Sequence, residues 1–110
     1  MAFRSDVSAI VLGVLRQGPL HGYDISRRIQ EAAGDTLALR DGQLYPILHR
    51  LEADGHVEAE WVAQEGKPAR KVYRITESGG ALLDGKRADF ERFVASVHTL
   101  LDRPLGESHA

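Results

Sequence analysis

Five histidines, at positions 21, 49, 56, 98 and 109, are the side chains of this 110-residue chain best suited to move protons or hold a metal. His49, Glu52 and His56 stand three and four apart, a spacing at which helical side chains share a face and can converge on an ion. Gly55, however, ends the helix before His56, and no cysteine is present to complete a site. The lack of cysteine also excludes disulfides and thiolate nucleophiles. His21 and Asp24 are spaced as an oriented acid–base pair, yet the sequence places no nucleophile beside them. Gly79-Gly80 lacks the glycine spacing and the following Lys-Ser/Thr of a phosphate loop. The expectation is no enzyme, no metal and no cofactor.

A second kind of chemistry is better represented, namely hydrogen bonding to a polyanion. Gln43, Tyr45, His49 and Arg50 share the polar side of a helix whose other side carries Leu44, Ile47, Leu48 and Leu51. Gln can pair with adenine and Arg with guanine through two hydrogen bonds, each pair discriminating by about 1–3 kcal/mol. Tyr45 could donate to a phosphate or pack on a thymine methyl. Further along, Lys67, Arg70, Lys71 and Arg74 follow one another with no acid between them, after Glu58, Glu60 and Glu65. Lys67, Arg70 and Lys71 suit phosphates beside the groove, contacts that fix register and add salt-dependent affinity. Arg28 and Tyr23 are expected in support. The net charge of −2 and pI of about 6.2 are low for a nucleic-acid-binding domain. That balance favours the alternative, a protein-interaction module using the same faces without binding DNA.

The elements that must hold these residues follow from hydrophobic period. Val7, Ile10, Val11, Val14 and Leu15 predict a first helix from about Ser5 to Arg16, stopped by Gln17-Gly18-Pro19. A second helix is expected over Gly22–Ala33, with Ile25, Ile29 and Ala32 inward and Gly34 as its stop. Thr36 to Leu39 reads as extended, leading to Asp41 as the N-cap of a third helix, Gly42–Asp54. Pro46 is expected within about its first turn, where a missing N–H costs little. The period then shortens to two. Val57, Ala59, Trp61 and Ala63 alternate with polar residues. Glu65-Gly66-Lys67-Pro68 reads as a turn and Arg70–Thr76 as a returning strand. Trp61 is expected to be half-buried. Thr76 would cap a last helix reaching Asp102, weakened at Gly79 and Gly80 by about 1 kcal/mol each relative to Ala.

Three short helices, a hairpin and a long helix make a mainly α fold with a small β-hairpin. The expected fold is a winged helix-turn-helix with a long C-terminal dimerisation helix. Residues 1–76 would form the DNA-binding domain, 77–103 the dimerisation helix and 104–110 a frayed tail. The N-terminal apolar run is broken by Asp6, Ser8 and Arg16, so neither a signal peptide nor a membrane span is expected. The protein is expected in the cytoplasm.

The last helix carries Phe90, Phe93, Val94, Val97, Leu100 and Leu101 on one stripe. A core this small cannot cover them all, so the stripe is expected to meet a second copy. A two-fold dimer would match a palindromic operator with half-sites about one helical turn apart. Val11, Val14, Phe93 and Val97 could line an effector pocket between subunits, although plain packing is the preferred reading of them.

His21 to Ile29 (HGYDISRRI), Gly42 to Trp61 (GQLYPILHRLEADGHVEAEW) and Lys67 to Gly79 (KPARKVYRITESG) together resemble the PadR family of bacterial transcriptional regulators, in its branch with a short C-terminal helix. The likeness covers about Ile10 to Gly79 and is spread over three separate elements. It implies a homodimer joined through the C-terminal helix, and repression relieved by a small, often aromatic ligand. It also implies DNA-facing positions for Tyr23, Gln43, Tyr45, His49 and the wing cations. Gln43 stands where the family commonly has a small hydroxyl residue, and His49 where it commonly has a Lys.

Overall fold

Helix α1 (Val7–Arg16) is apolar on most of its circumference. The computed structural model, which describes residues 7–37 and 41–102, turns Val11, Leu12 and Leu15 fully inward. Ile10 and Val14 stand at the margin of the core, so the buried face is rotated from the expected stripe. Periodicity could not resolve this, because a helix with few polar residues has no marked outer side. The expected start at Ser5, the Leu39 segment, the Asp41 side chain and everything from Arg103 onward lie outside the described residues.

Strand β1 (Leu20–His21) leads directly into α2 (Gly22–Ala33), which buries Ile25 and Ile29. Ala32, expected inward, is exposed. Gly34 takes φ +52° as the helix ends. Gly34–Leu37 then forms a 3₁₀ turn, which corrects the extended reading from Thr36. A short 3₁₀ piece following a helix end keeps backbone groups paired where an extended segment would leave them to water.

Helix α3 (Asp41–Ala53) places Leu44, Leu48 and Leu51 in the core. Pro46 is its sixth residue, at the start of the second turn. It withholds one helical bond from the Gly42 carbonyl. Gly42 and Pro46 are both exposed, so water can serve that oxygen. The helix ends in a Schellman motif: the Gly55 N–H donates to the Glu52 carbonyl at 3.0 Å and the His56 N–H to the Leu51 carbonyl at 2.8 Å. Gly55 supplies the left-handed backbone, φ +80°, that this ending requires.

β2 (Val57–Gln64) and β3 (Lys67–Ile75) form the wing. With β1 they make an antiparallel sheet in the order β1-β3-β2. The turn is the two residues Glu65-Gly66, tighter than the four expected, and β3 starts at Lys67. A bulge absorbs Pro68. Val62 pairs with Arg70 and Gln64 with Lys67, so Ala63 faces both Pro68 and Ala69. Proline cannot donate to a ladder and is tolerated at such a bulge. β1 pairs only with Tyr73 and Val72, so from Lys71 outward the wing is a two-stranded ribbon.

α4 (Glu77–Asp102) starts as expected on Thr76, whose hydroxyl accepts the Gly79 N–H at 3.1 Å. The same hydroxyl donates to the Gly55 carbonyl at 2.7 Å. Arg16 then ties α1 to α4, donating to Asp84 at 2.8 Å and to the Gly80 carbonyl at 2.9 Å. Leu83 is the last α4 side chain in the core.

The two glycines of α4 are not equivalent. A Cβ on Gly79 would lie 2.0 Å from the His56 carbonyl oxygen, whereas one on Gly80 would meet only the tip of Arg16 at 3.3 Å. Gly79→Ala is therefore expected to lose about 2–3 kcal/mol from this overpacking. Gly80→Ala is expected to be neutral or to gain up to about 1 kcal/mol from helix propensity. Denaturant midpoints compare the two, and equal effects would refute the close-approach account.

Candidate nucleic-acid interface

The burial of Leu44, Leu48 and Leu51 leaves Gln43, Tyr45, His49 and Arg50 on the solvent side of α3, all exposed. β3 runs beside this face. Between them lies an open groove of about 430 Å³, lined by His21, Gly22, Tyr23, Tyr45, His49, Trp61, Arg70, Lys71 and Tyr73. The structure thus brings Tyr23, Tyr45, His49, Arg70 and Lys71 together from α2, α3 and the wing. Gln43 and Arg50 flank the groove on α3 and are not among the residues lining it, and Lys67 stands at the wing tip. Arg28 lies elsewhere. It donates to Gln17 at 3.3 Å and lines a second groove with Ile10, Val14 and Leu37.

Gly22 makes room for the third helix. A Cβ there would sit 2.7 Å from the edge of the Tyr45 ring, so glycine lets that ring lie against the start of α2. Tyr23 is 60% exposed and has two neighbours at its ring. The His21 ring stacks nearby at 6.2 Å, and the Arg27 guanidinium lies 5.9 Å from its centre. His21 is in turn fixed by Asp24, with Nε2 2.9 Å from the carboxylate.

Trp61 is the main correction. It is 69% exposed rather than half-buried, and it faces the groove across from Lys71. The alternating pattern places it on the inner side of β2. The core, however, ends at Val57 and Ala59, and the ribbon carries Trp61 beyond it. A large aromatic alternating with acids along the first strand of the hairpin was the available signal for this site residue. His21 was also missed, since its ring reaches the groove only because β1 joins the sheet.

The basic run resolves into two kinds of cation. Arg74 is engaged by Glu58 at 3.7 Å and Glu60 at 3.3 Å on its own hairpin. Lys71 donates to Glu52 of α3 at 3.1 Å. Among the described residues no ion pair engages Arg50, Lys67 or Arg70. Nor do any three His, Cys, Asp or Glu side chains gather there as metal ligands.

Two groups have shifted proton affinities. The hydrogen bond that Lys71 donates to Glu52 raises Lys71 above its ordinary 10.5, against an opposing desolvation. Burial raises the Tyr73 phenol above its ordinary 10.0.

The fold and the groove define a winged helix-turn-helix protein with a long C-terminal helix. The model of the transcriptional regulator PadR-like family matches residues 11–84. The chain belongs to that family, which consists of transcriptional regulators and not enzymes. The negative transcriptional regulator PadR of Bacillus subtilis (strain 168) is 36% identical over 69 residues, 63% of this chain and 38% of that protein. The match thus spans about two fifths of that relative's length. A PadR family regulator from Eggerthella lenta has a similar structure, with a TM-score of 0.79 at 28% identity over 94% of this chain and 88% of that one. Bacillus subtilis PadR in complex with operator DNA gives a TM-score of 0.68 at 32% identity, over 74% of this chain and 46% of that one. No described helix is long and apolar enough to cross a membrane.

The raised proton affinities have a consequence for stability. The folded chain keeps the Lys71 proton to higher pH than the unfolded chain, so the ion pair contributes fully below 10.5 and is lost above it. Folding also resists ionisation of Tyr73, which opposes the folded state once pH passes 10.0. Both make stability fall as pH rises beyond about 10. Tyr73→Phe is expected to leave the neutral-pH urea midpoint nearly unchanged and to flatten that alkaline decline. An equally steep decline in the variant would remove Tyr73 as a source of it.

Proposed function

We propose that this chain is a sequence-specific DNA-binding repressor that works as a homodimer on a palindromic operator in the cytoplasm. The observation that carries the reading is the convergence of the α3 polar face and the wing on one groove rich in aromatic and cationic side chains. In this arrangement α3 enters the major groove and the wing lies along the backbone. Gln43, Tyr45, His49 and Arg50 read or flank bases. Lys67 and Arg70 hold phosphates, with Trp61 against the sugar–phosphate edge. The Bacillus relative supports both halves of the reading, being named a negative regulator and solved with operator DNA.

The second subunit is met through residues 77–103. α4 has 26 residues, about 39 Å of helix at 1.5 Å per residue. Leu100 and Leu101, at 80% and 74% exposure, continue the stripe of Phe90, Phe93, Val94 and Val97 beyond the core. Burying such side chains contributes about 1.5–3 kcal/mol each, which favours a two-fold pairing of these helices. Release by a small aromatic ligand belongs to the same proposal. Phe93 and Val97 on α4 and Val14 at its groove are surfaces for such a ligand. Val11, fully buried in the core, is not.

A binding titration against the DNA upstream of the chain's own gene, with random DNA as control and at two salt concentrations, tests the proposal. Tight, salt-sensitive binding that prefers the upstream DNA is expected, with quenching of Trp61 fluorescence. A complete lack of DNA binding at low salt would favour the protein-interaction module instead. Arg50→Ala is expected to relax sequence preference. Lys67→Ala is expected to weaken specific and random DNA alike and to lower the log–log salt slope by about one phosphate's worth. Equal losses on specific and random DNA for Arg50→Ala would remove its base-reading role.

A further inference from the structure

One acid stands beside the groove where a polyanion would repel it. Glu52 follows Leu51 on α3, and its side chain is 36% exposed. Its carboxylate takes the Lys71 ammonium at 3.1 Å, and that ammonium lies 5.4 Å from the centre of the buried Tyr73 ring. Lys71 is itself only 28% exposed and points into the angle between α3 and β3. The sheet changes character at this residue. Tyr73 and Val72 have a neighbouring strand on each side, but β1 ends opposite Val72. Lys71 is therefore the first residue of the free ribbon. A two-stranded ribbon is only marginally stable and twists readily, so its direction depends on what holds its root.

We propose that Glu52 is a positioning residue. By gripping Lys71 at the root of the ribbon it sets the angle between the wing and α3, and Lys71 serves the groove as a strut instead of a phosphate contact. This rests on the DNA-binding reading and deepens it. Trp61 pairs directly with Lys71, and Arg70 precedes it, so both reach the backbone at a setting that the strut determines.

The two roles of Lys71 predict effects of opposite sign for Glu52. If Lys71 held a phosphate, Glu52→Gln would free it and remove a repulsive charge, and DNA would bind as well or better. For a strut, Glu52→Gln is expected to weaken binding by about tenfold, within the range of couplings between contacting residues. Lys71→Met is expected to do the same, and the double variant no worse than either. The salt slope stays at its original value in all three. Lys71→Arg, which keeps the pair, is expected to bind like the original chain. The exchanged pair Glu52→Lys with Lys71→Glu is expected to recover most of the affinity. The probe is a duplex selected by the original protein from a random-sequence pool. Unweakened binding by Glu52→Gln, or a slope reduced by about one phosphate in Lys71→Met alone, would overturn the proposal.

A second measurement keeps the strut separate from DNA binding. Trp61 is the single tryptophan, so its emission and anisotropy report the ribbon in the free protein. A red shift and lower anisotropy are expected in Glu52→Gln. Unchanged values would dismiss the strut even if DNA binds. Loss of DNA binding by the original chain, with the shift present, would dismiss the function and leave the strut standing.

Discussion

The one-sided burial of α3 governs the rest of the molecule. Leu44, Leu48 and Leu51 are packed to 4% exposure or less against α1, α2 and the sheet. That packing alone decides which way the opposite side faces. A chain of this size has one small core, and each element can give it only a narrow stripe. The polar face of α3 is therefore presented by necessity. Its orientation is as firm as the leucines beneath it, because their displacement would empty the centre of the core.

A second dependence runs through the short turn between α3 and β2. Gly55 ends the helix, and its carbonyl accepts from both Thr76, at 2.7 Å, and Ser78, at 3.0 Å. The Thr76 N–H donates to the His56 carbonyl at 3.1 Å, and Gly79 lets α4 cross that same carbonyl closely. One turn thus fixes three directions: the exit of the groove helix, the root of the wing and the start of α4. In a dimer joined by α4, this joint together with the Arg16–Asp84 contact would set the spacing of the two grooves. In that proposed dimer the geometry for reading DNA and the geometry for pairing subunits would meet at the same few atoms.

Charge is organised more finely than the chain's overall balance suggests. The acids of β2 are spent on Arg74 at the back of the hairpin, and Glu52 is spent on Lys71. Lys67 and Arg70 on the wing and Arg50 on α3 have no ion-pair partner among the described residues, and of these Arg70 lines the groove. A chain with net charge −2 can in this way present a locally positive surface, since the acids of β2 and Glu52 are each opposed by a cation close by.

Helix existence, the hairpin and the polar side of α3 were legible because each is a local property. Period, capping by Thr76 and the stop at Gly55 depend on residues within a turn of one another. The family signature was legible for the same reason, being carried by contiguous stretches. What escaped was every property that depends on where the core ends. Trp61 alternates correctly, but alternation assigns only a side, and the extent of the ribbon beyond Ala59 decided its exposure. The buried face of α1 needed its neighbours, because an almost wholly apolar helix names no inner side. β1, and with it the place of His21, exists only through pairing with β3 some fifty residues away. Gly79 read as a cost to helix stability, and only the approach of the His56 carbonyl shows why a side chain cannot stand there. Local pattern suffices for the four helices, the hairpin and the chemistry they carry. Tertiary structure decided which of those side chains meet, because contact between distant segments is set by core volume and strand register and not by any local pattern.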